Sequence, residues 1–202
     1  MSITLHKNDL PDDLDLGNIV AIDTEAMGLQ YGRDRLCLVQ LSSGDGSAHL
    51  VQMLDSSYDA PNLKKLISNP DIMKLFHFAR FDVAIIRKYL GVNCPNIYCT
   101  KIASKLARTY TDRHGLKNLC KELIGVDISK QCQSSDWGAQ ELSGEQLNYA
   151  ASDVYYLHRL KITLDKMLER EGRFSLAQSC FDFMQVRTDL DLAGWPDDIF
   201  EH

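Results

Sequence analysis

The chain has 202 residues, 45% hydrophobic and 25% charged, with a formal net charge of −6. That length and composition suit a globular protein with one proper core, so residues 1–202 read as a single domain. The acidic balance excludes a protein that coats nucleic acid through bulk charge, and no apolar run is long enough to span a membrane.

The N-terminal segment Met1-Ser2-Ile3-Thr4-Leu5-His6-Lys7 has neither a signal-peptide nor a transit-peptide pattern. None of the six cysteines forms a Cys-x-x-Cys pair, so a zinc site has no support. Reduced thiols in a cytoplasmic protein are the expectation.

Strands dominate the first quarter. Ile19 to Asp23 is one, Arg35 to Leu41 a second and Ala48 to Met53 a third. The last two are joined by Ser43-Gly44-Asp45-Gly46-Ser47, a hairpin-type turn, which predicts an antiparallel meander. Helices then alternate with short strands. Leu63, Leu66 and Ile67 have helical spacing behind Pro61, a first-turn proline. Ile72 to His77 reads as a buried fourth strand. Phe81 to Leu90 reads as a helix stopped by Gly91, and Asn96-Ile97-Tyr98 as a short fifth strand. Thr100 is placed as the cap of the next helix, and Leu116, Leu119, Leu123 and Gly125 mark another. A polar loop through Ser134 to Gly138 leads to Ser143-Gly144-Glu145-Gln146, a capping-box match that predicts one long helix to about Glu171. A last helix is expected over Ser175 to Arg187, followed by an aperiodic tail. The expected class is α/β, a mixed sheet of three antiparallel strands then shorter parallel ones, flanked by helices.

Acidic residues punctuate this pattern. In a strand, Asp23 and Glu25 project from one face with Thr24 on the other. Side by side, two carboxylates repel unless a cation sits between them, and hard oxygen ligands suit Mg²⁺ or Mn²⁺. A strand running into a solvated acidic loop is the alternative. Asp82 falls in a first helical turn, where an acid also complements the helix dipole. It shares the inward face with Ile85 and Ile86, however, and a carboxylate there needs a cation or several donors. Tyr149 and Asp153 are one turn apart on the long helix, beside Ala150, Val154 and Leu157; an Asp–Tyr hydrogen bond within a core is the other reading. Together these residues form a set that two divalent ions about 3.5–4 Å apart would need, one to activate water and one to stabilise a leaving oxygen.

With these residues in order, the chain resembles the DEDD 3′–5′ exonucleases, in the tyrosine-bearing branch typified by ribonuclease D. Asp23 and Glu25 match the first motif, Asp82 the second, and Tyr149 with Asp153 the third. A sister branch carries His five residues before the last Asp; here that position is Asn148. Leu36 to Leu41, Leu116-Lys117-Asn118-Leu119, and Lys130 with Ser135-Asp136-Trp137 also look like ribonuclease D. The likeness covers a motif-bearing core of about 15–170, leaving a C-terminal helix and tail of about 172–202.

The resemblance implies a ribonuclease-H-like fold, two Mg²⁺ or Mn²⁺ ions, and release of 5′-mononucleotides from a 3′-hydroxyl end. It implies catalytic roles for Asp23, Glu25, Asp82, Tyr149 and Asp153, with the four carboxylates as metal ligands. It further implies that Met27 and Gly28 meet the 3′-terminal sugar and that Leu29 wedges near the last base; packing into the core is the other reading of Leu29. His77 and Phe81 are placed along the strand's path, and Lys130 near a phosphate. Lys101, Lys105, Arg108, Arg113, Lys117 and Lys121 are further basic residues that could hold phosphates, more ordinarily a solvated surface; Lys117 and Lys121 are singled out with Lys130.

Two departures stand out. Ribonuclease D carries helical accessory domains that this chain has no length for, and Cys99 stands where many relatives have Asp. The expected partner is nucleic acid with a free 3′-hydroxyl, RNA ahead of single-stranded DNA. Rival readings are an idle nucleic-acid-binding domain and a phosphatase-type hydrolase using Asp23, which would want Asp in place of Glu25. No motif fixes an oligomeric state.

Overall fold

The computed structural model describes residues 1–128, 135–195 and 199. A six-stranded sheet forms its centre, with β1 at Ser2–Lys7, β2 at Ile19–Ala26, β3 at Leu36–Ser42, β4 at Ser47–Gln52, β5 at Met73–Phe76 and β6 at Ile97–Cys99, in the order β1-β4-β3-β2-β5-β6. β2, β3 and β4 form the predicted antiparallel meander, and β5 and β6 continue from β2 in parallel. β3 is buried along its whole length, as a central strand covered on both faces must be.

β1 is an addition to the sequence reading. It pairs in parallel with β4 from Ser2↔Ser47 to Lys7↔Gln52 and remains largely exposed. Ile3 and Leu5 alternate with polar neighbours, but the run holds only these two apolar residues and Leu5 stays exposed, so the strand contributes little to the core.

Eight helices pack around the sheet among the described residues: α1 Pro61–Ser68, α2 Ala79–Leu90, α3 Thr100–Ala107, α4 Leu116–Ile124, α5 Gly144–Tyr155, α6 Leu157–Arg170, α7 Phe174–Asp182 and α8 Met184–Leu192. Pro61 stands in the first turn of α1, and Gly91 and Gly125 close α2 and α4 in the left-handed conformation. Ser143 and Gln146 form both hydrogen bonds of the capping box at α5. Thr100 does not cap α3. It lies inside the first turn, and its hydroxyl donates instead to the Phe76 carbonyl at the end of β5 (3.1 Å).

The predicted long helix is two helices. It breaks at Tyr156 because its halves cover different neighbours: α5 lies across β2, β3 and β4, whereas α6 packs on α3 and α4. Side chains at the break hold it in place. Tyr155 donates to the Ser2 carbonyl (2.9 Å), and His158 Nε2 donates to the Ile19 carbonyl (2.9 Å). The predicted last helix likewise divides at Phe183, with α7 against β6 and α3, and α8 against α2. α8 reaches past Arg187 because Asp191, nearly fully buried, accepts from Arg80 of α2 (2.7 and 2.9 Å) and pairs with Arg187 (3.1 Å).

Arg108 is a correction to the list of surface cations. It is fully buried, donates to the Arg113 carbonyl (3.0 Å) and pairs with Glu122. No helix among the described residues is long and apolar enough to cross a membrane.

Candidate active site

β2 outruns β5: the parallel pairing ends at Ala21↔Leu75, and the last turns of β2 carry Asp23, Thr24 and Glu25 beyond it. Strand alternation then sorts these residues by face. Asp23 and Glu25 point to the side covered by α5, which brings Tyr149 and Asp153. Thr24 points to the other side, where its hydroxyl donates to Asp82 of α2 (2.7 Å). The acids therefore reach the end of β2 from opposite faces of the sheet.

All of them line one open cleft of about 650 Å³. Oxygens of Asp23, Glu25 and Asp153 lie within 4.8 Å of one another. Asp82 stands just outside that trio, close enough to repel both Asp23 and Glu25. Burial pushes the Asp23 carboxyl well above the usual carboxylate range, with Asp82, Asp153 and Glu25 adding repulsion. Burial and then Asp153 and Asp82 raise Glu25 to about 9. Burial also raises Asp82 to about 7, against the opposing hydrogen bond from Thr24. These shifts share one cause, negative charge crowded into a poorly solvated site. Hard oxygen donors at this separation fit Mg²⁺ or Mn²⁺.

Tyr149 leans on Trp137, ring centroids 6.1 Å apart, and Trp137 is almost fully buried. Burial, then the charges of Asp153, Glu25 and Asp23, raise the phenol far above its ordinary value, and a hydrogen bond to Asp153 reinforces this. The hydroxyl is therefore a donor at any physiological pH.

Met27, Gly28 and Leu29 line the cleft with His77 and Phe81. Leu29 is 80% exposed, which removes the packed alternative for its side chain. Gly28 has a steric reason to be glycine: a Cβ there would lie 2.3 Å from the Asp34 carboxylate. His77 Nδ1 is 2.9 Å from the Thr100 hydroxyl. That hydroxyl's proton goes to the Phe76 carbonyl, so Nδ1–H donates. Phe81 stacks at a tilt on Tyr31, 5.6 Å between centroids. Lys130 lies outside the described residues. Lys117 lines the cleft and pairs with Asp127 (3.4 Å).

Sequence reasoning passed over three neighbours of the site and left a fourth, Lys101, among the surface cations. Thr24 supports Asp82, and Phe78 and Lys101 line the cleft. Gln40 lies directly opposite Asp23 in the β2–β3 register, fully buried, with neither amide atom partnered among the described residues. A lone glutamine in an apolar strand was the available signal for the last.

The raised carboxyls make a stability prediction. Between the unfolded value near 4 and the folded values, the folded protein binds more protons than the unfolded chain. Stability of the metal-free protein therefore falls as pH rises through that window. The step from pH 7 to 8 carries much of the effect. His6 and His49 are held low and titrate largely beneath it. The thiols of Cys37, Cys94 and Cys120, held high in the fold, add a smaller loss of the same sign as they begin to ionise in the unfolded chain. In EDTA the loss across that step is expected to be on the order of 1 kcal/mol, or ~2–4 °C in Tm. Saturating Mg²⁺ should abolish most of it. Melting curves by circular dichroism check both parts, and a flat EDTA series would contradict the crowded-charge account.

Comparison with known proteins places the chain in a family. Residues 7–169 match the family model for a 3′-5′ exonuclease. Ribonuclease D of Gluconacetobacter diazotrophicus is 36% identical over 160 residues, 79% of this chain but 40% of that protein. The chain thus spans about two fifths of the length of that relative. NrnC of Brucella melitensis, solved bound to pGG, superposes with a TM-score of 0.97 at 54% identity, covering 100% of this chain and 99% of the other. The same protein solved with bound Mg²⁺ gives a TM-score of 0.95 at 53% identity, covering 100% of both chains. The expected mixed sheet is therefore that of the ribonuclease-H-like exonucleases, and the chain belongs to the 3′–5′ exonuclease family.

Proposed function

We propose that the chain removes 5′-mononucleotides one at a time from the 3′-hydroxyl end of RNA, within a single domain. The observation that carries this reading is the convergence of four carboxylates and a phenol from β2, α2 and α5 on one open cleft. Asp23, Glu25, Asp82 and Asp153 would hold two divalent cations, Mg²⁺ or Mn²⁺. Bound there, such ions supply Lewis-acid activation of water and charge stabilisation at the leaving oxygen. The Mg²⁺-bound relative supports the choice of a hard divalent ion.

The protein's own groups do the positioning. Thr24 fixes the rotamer of Asp82 from behind. Tyr149, protonated and braced by Trp137, donates a hydrogen bond that orients the attacking water. Met27 and Gly28 seat the terminal sugar, and the exposed Leu29 side chain wedges against the last base. His77 and Phe81 border the strand's path, with Lys130 as a phosphate contact. RNA is preferred over single-stranded DNA on the strength of the relatives named ribonuclease D, and the pGG complex of the similar NrnC agrees with a nucleotide ligand. The five described cysteines are free thiols, in keeping with a cytoplasmic setting.

The test is a side-by-side digestion of 5′-labelled single-stranded RNA, single-stranded DNA and tailed duplexes with Mg²⁺ and with Mn²⁺. A ladder shortening from the 3′ end, fastest on RNA, is expected. EDTA should silence it, and a 3′-phosphate should protect the substrate. Internal cuts would defeat the exonuclease reading, and a faster ladder on DNA would move the substrate assignment.

A further inference from the structure

Phe78 is placed against its own preferences. It precedes α2 in the left-handed conformation, φ 73° and ψ 48°, which is an outlier for a bulky side chain. It makes no side-chain cap to the helix. Nor is it required by the core, since it is 47% exposed. Strained backbone of this kind persists where the surroundings fix it, and it concentrates at functional sites.

Lys101 is also locally disfavoured. It occupies the first turn of α3, where the helix dipole repels a cation and no acidic residue offsets it. Its Nζ lies 4.0 Å from the centroid of the Phe78 ring. Both residues line the same cleft as the carboxylates.

The sheet order fixes their place along that cleft. Leu29 follows β2 on the side towards β3. Phe78 follows β5, and Lys101 follows β6 on the opposite side. The acids of β2 stand between the two banks. If the 3′-terminal nucleoside takes the Leu29 bank, the nucleotide on the 5′ side of the scissile phosphate takes the Phe78 bank.

We infer that Phe78 and Lys101 form a subsite for that 5′-side nucleotide, the ring stacking on its base and the ammonium facing its phosphate. The inference rests on the exonuclease reading above and specifies which nucleotide the second bank receives. Stacking on an aromatic face tolerates every base, so this subsite would hold the strand without reading its sequence. Lys101 adds a single phosphate contact beside a cleft lined by four carboxylates.

The experiment uses two RNA tetranucleotides, 5′-labelled, one intact and one abasic at the penultimate position. Dissociation constants are measured by fluorescence anisotropy with Ca²⁺ present, and hydrolysis is measured separately with Mg²⁺. Phe78→Ala should weaken binding of the intact RNA about tenfold and that of the abasic RNA less than twofold. Phe78→Tyr should bind like the wild type. Lys101→Ala should weaken both RNAs and lower the slope of log Kd against log salt by about 0.7. Equal weakening of both RNAs by Phe78→Ala, or no weakening of either, overturns the stacking subsite. Loss of the 3′-end ladder in the wild type would overturn the exonuclease reading alone, because the anisotropy series decides the subsite without turnover.

Discussion

Replacing Asp82 by Asn, or Asp23 by Ala, should lower hydrolysis by at least ~10³-fold while leaving the fold intact. The size of the effect follows from the chemistry: loss of a cation's several kcal/mol at the transition state corresponds to that factor. Asp82→Asn is the cleaner variant. Thr24 donates to Asp82 Oδ1, and an asparagine carbonyl oxygen accepts the same hydrogen bond, so shape and support survive while the charge is lost. Stability should move the opposite way from activity. The carboxyls repel one another and are poorly solvated, which is why their protons are held so tightly. Removing one charge relieves that repulsion, so the metal-free Asp23→Ala protein at pH 8 should melt no lower than the wild type. Calorimetric titration with Mn²⁺ should show weakened binding in both variants. Full activity in a well-folded mutant would remove that carboxylate from the site, and a metal-free mutant far less stable than the wild type would refute the crowded-charge account.

Local chemistry made the meander, the first-turn proline, the two glycine stops and the capping box at Ser143 legible, because each is set by a handful of neighbouring residues. The acidic set was legible in the same way. Alternation placed Asp23 and Glu25 on one face, and the apolar stripe placed Asp82 inward. What escaped depends on partners distant in sequence. The break at Tyr156 contains no Gly or Pro; it is imposed by a strand and a carbonyl more than a hundred residues upstream, through Tyr155 with Ser2 and His158 with Ile19. β1 is an edge with little to bury. Arg108 has a surface composition and a buried position, which only its pairing with Glu122 and the Arg113 carbonyl permits. Thr24 was correctly assigned to the face away from Asp23, yet it serves the cleft because α2 delivers Asp82 from that face. Periodicity gives the direction of a side chain; it does not give what waits there.

Tyr149→Phe should reduce kcat by ~10²-fold, a typical size for a positioned hydrogen-bonding group assisting proton movement, with little change in KM. The ring should stay where it is, because its seat against Trp137 uses only the aromatic face. The loss therefore measures the hydroxyl. Two roles for that hydroxyl make opposite demands on pH. A general base must be ionised, and ionisation of Tyr149 is opposed first by burial and then by Asp153, Glu25 and Asp23. A donor that orients water must stay protonated, which the same environment enforces. The pH–rate profiles of wild type and Tyr149→Phe should consequently run parallel through pH 7–10, offset but equal in shape. An alkaline rise present in the wild type and absent in the variant would make the phenolate the working species, and unchanged turnover would leave Tyr149 as a packing residue beside the acids.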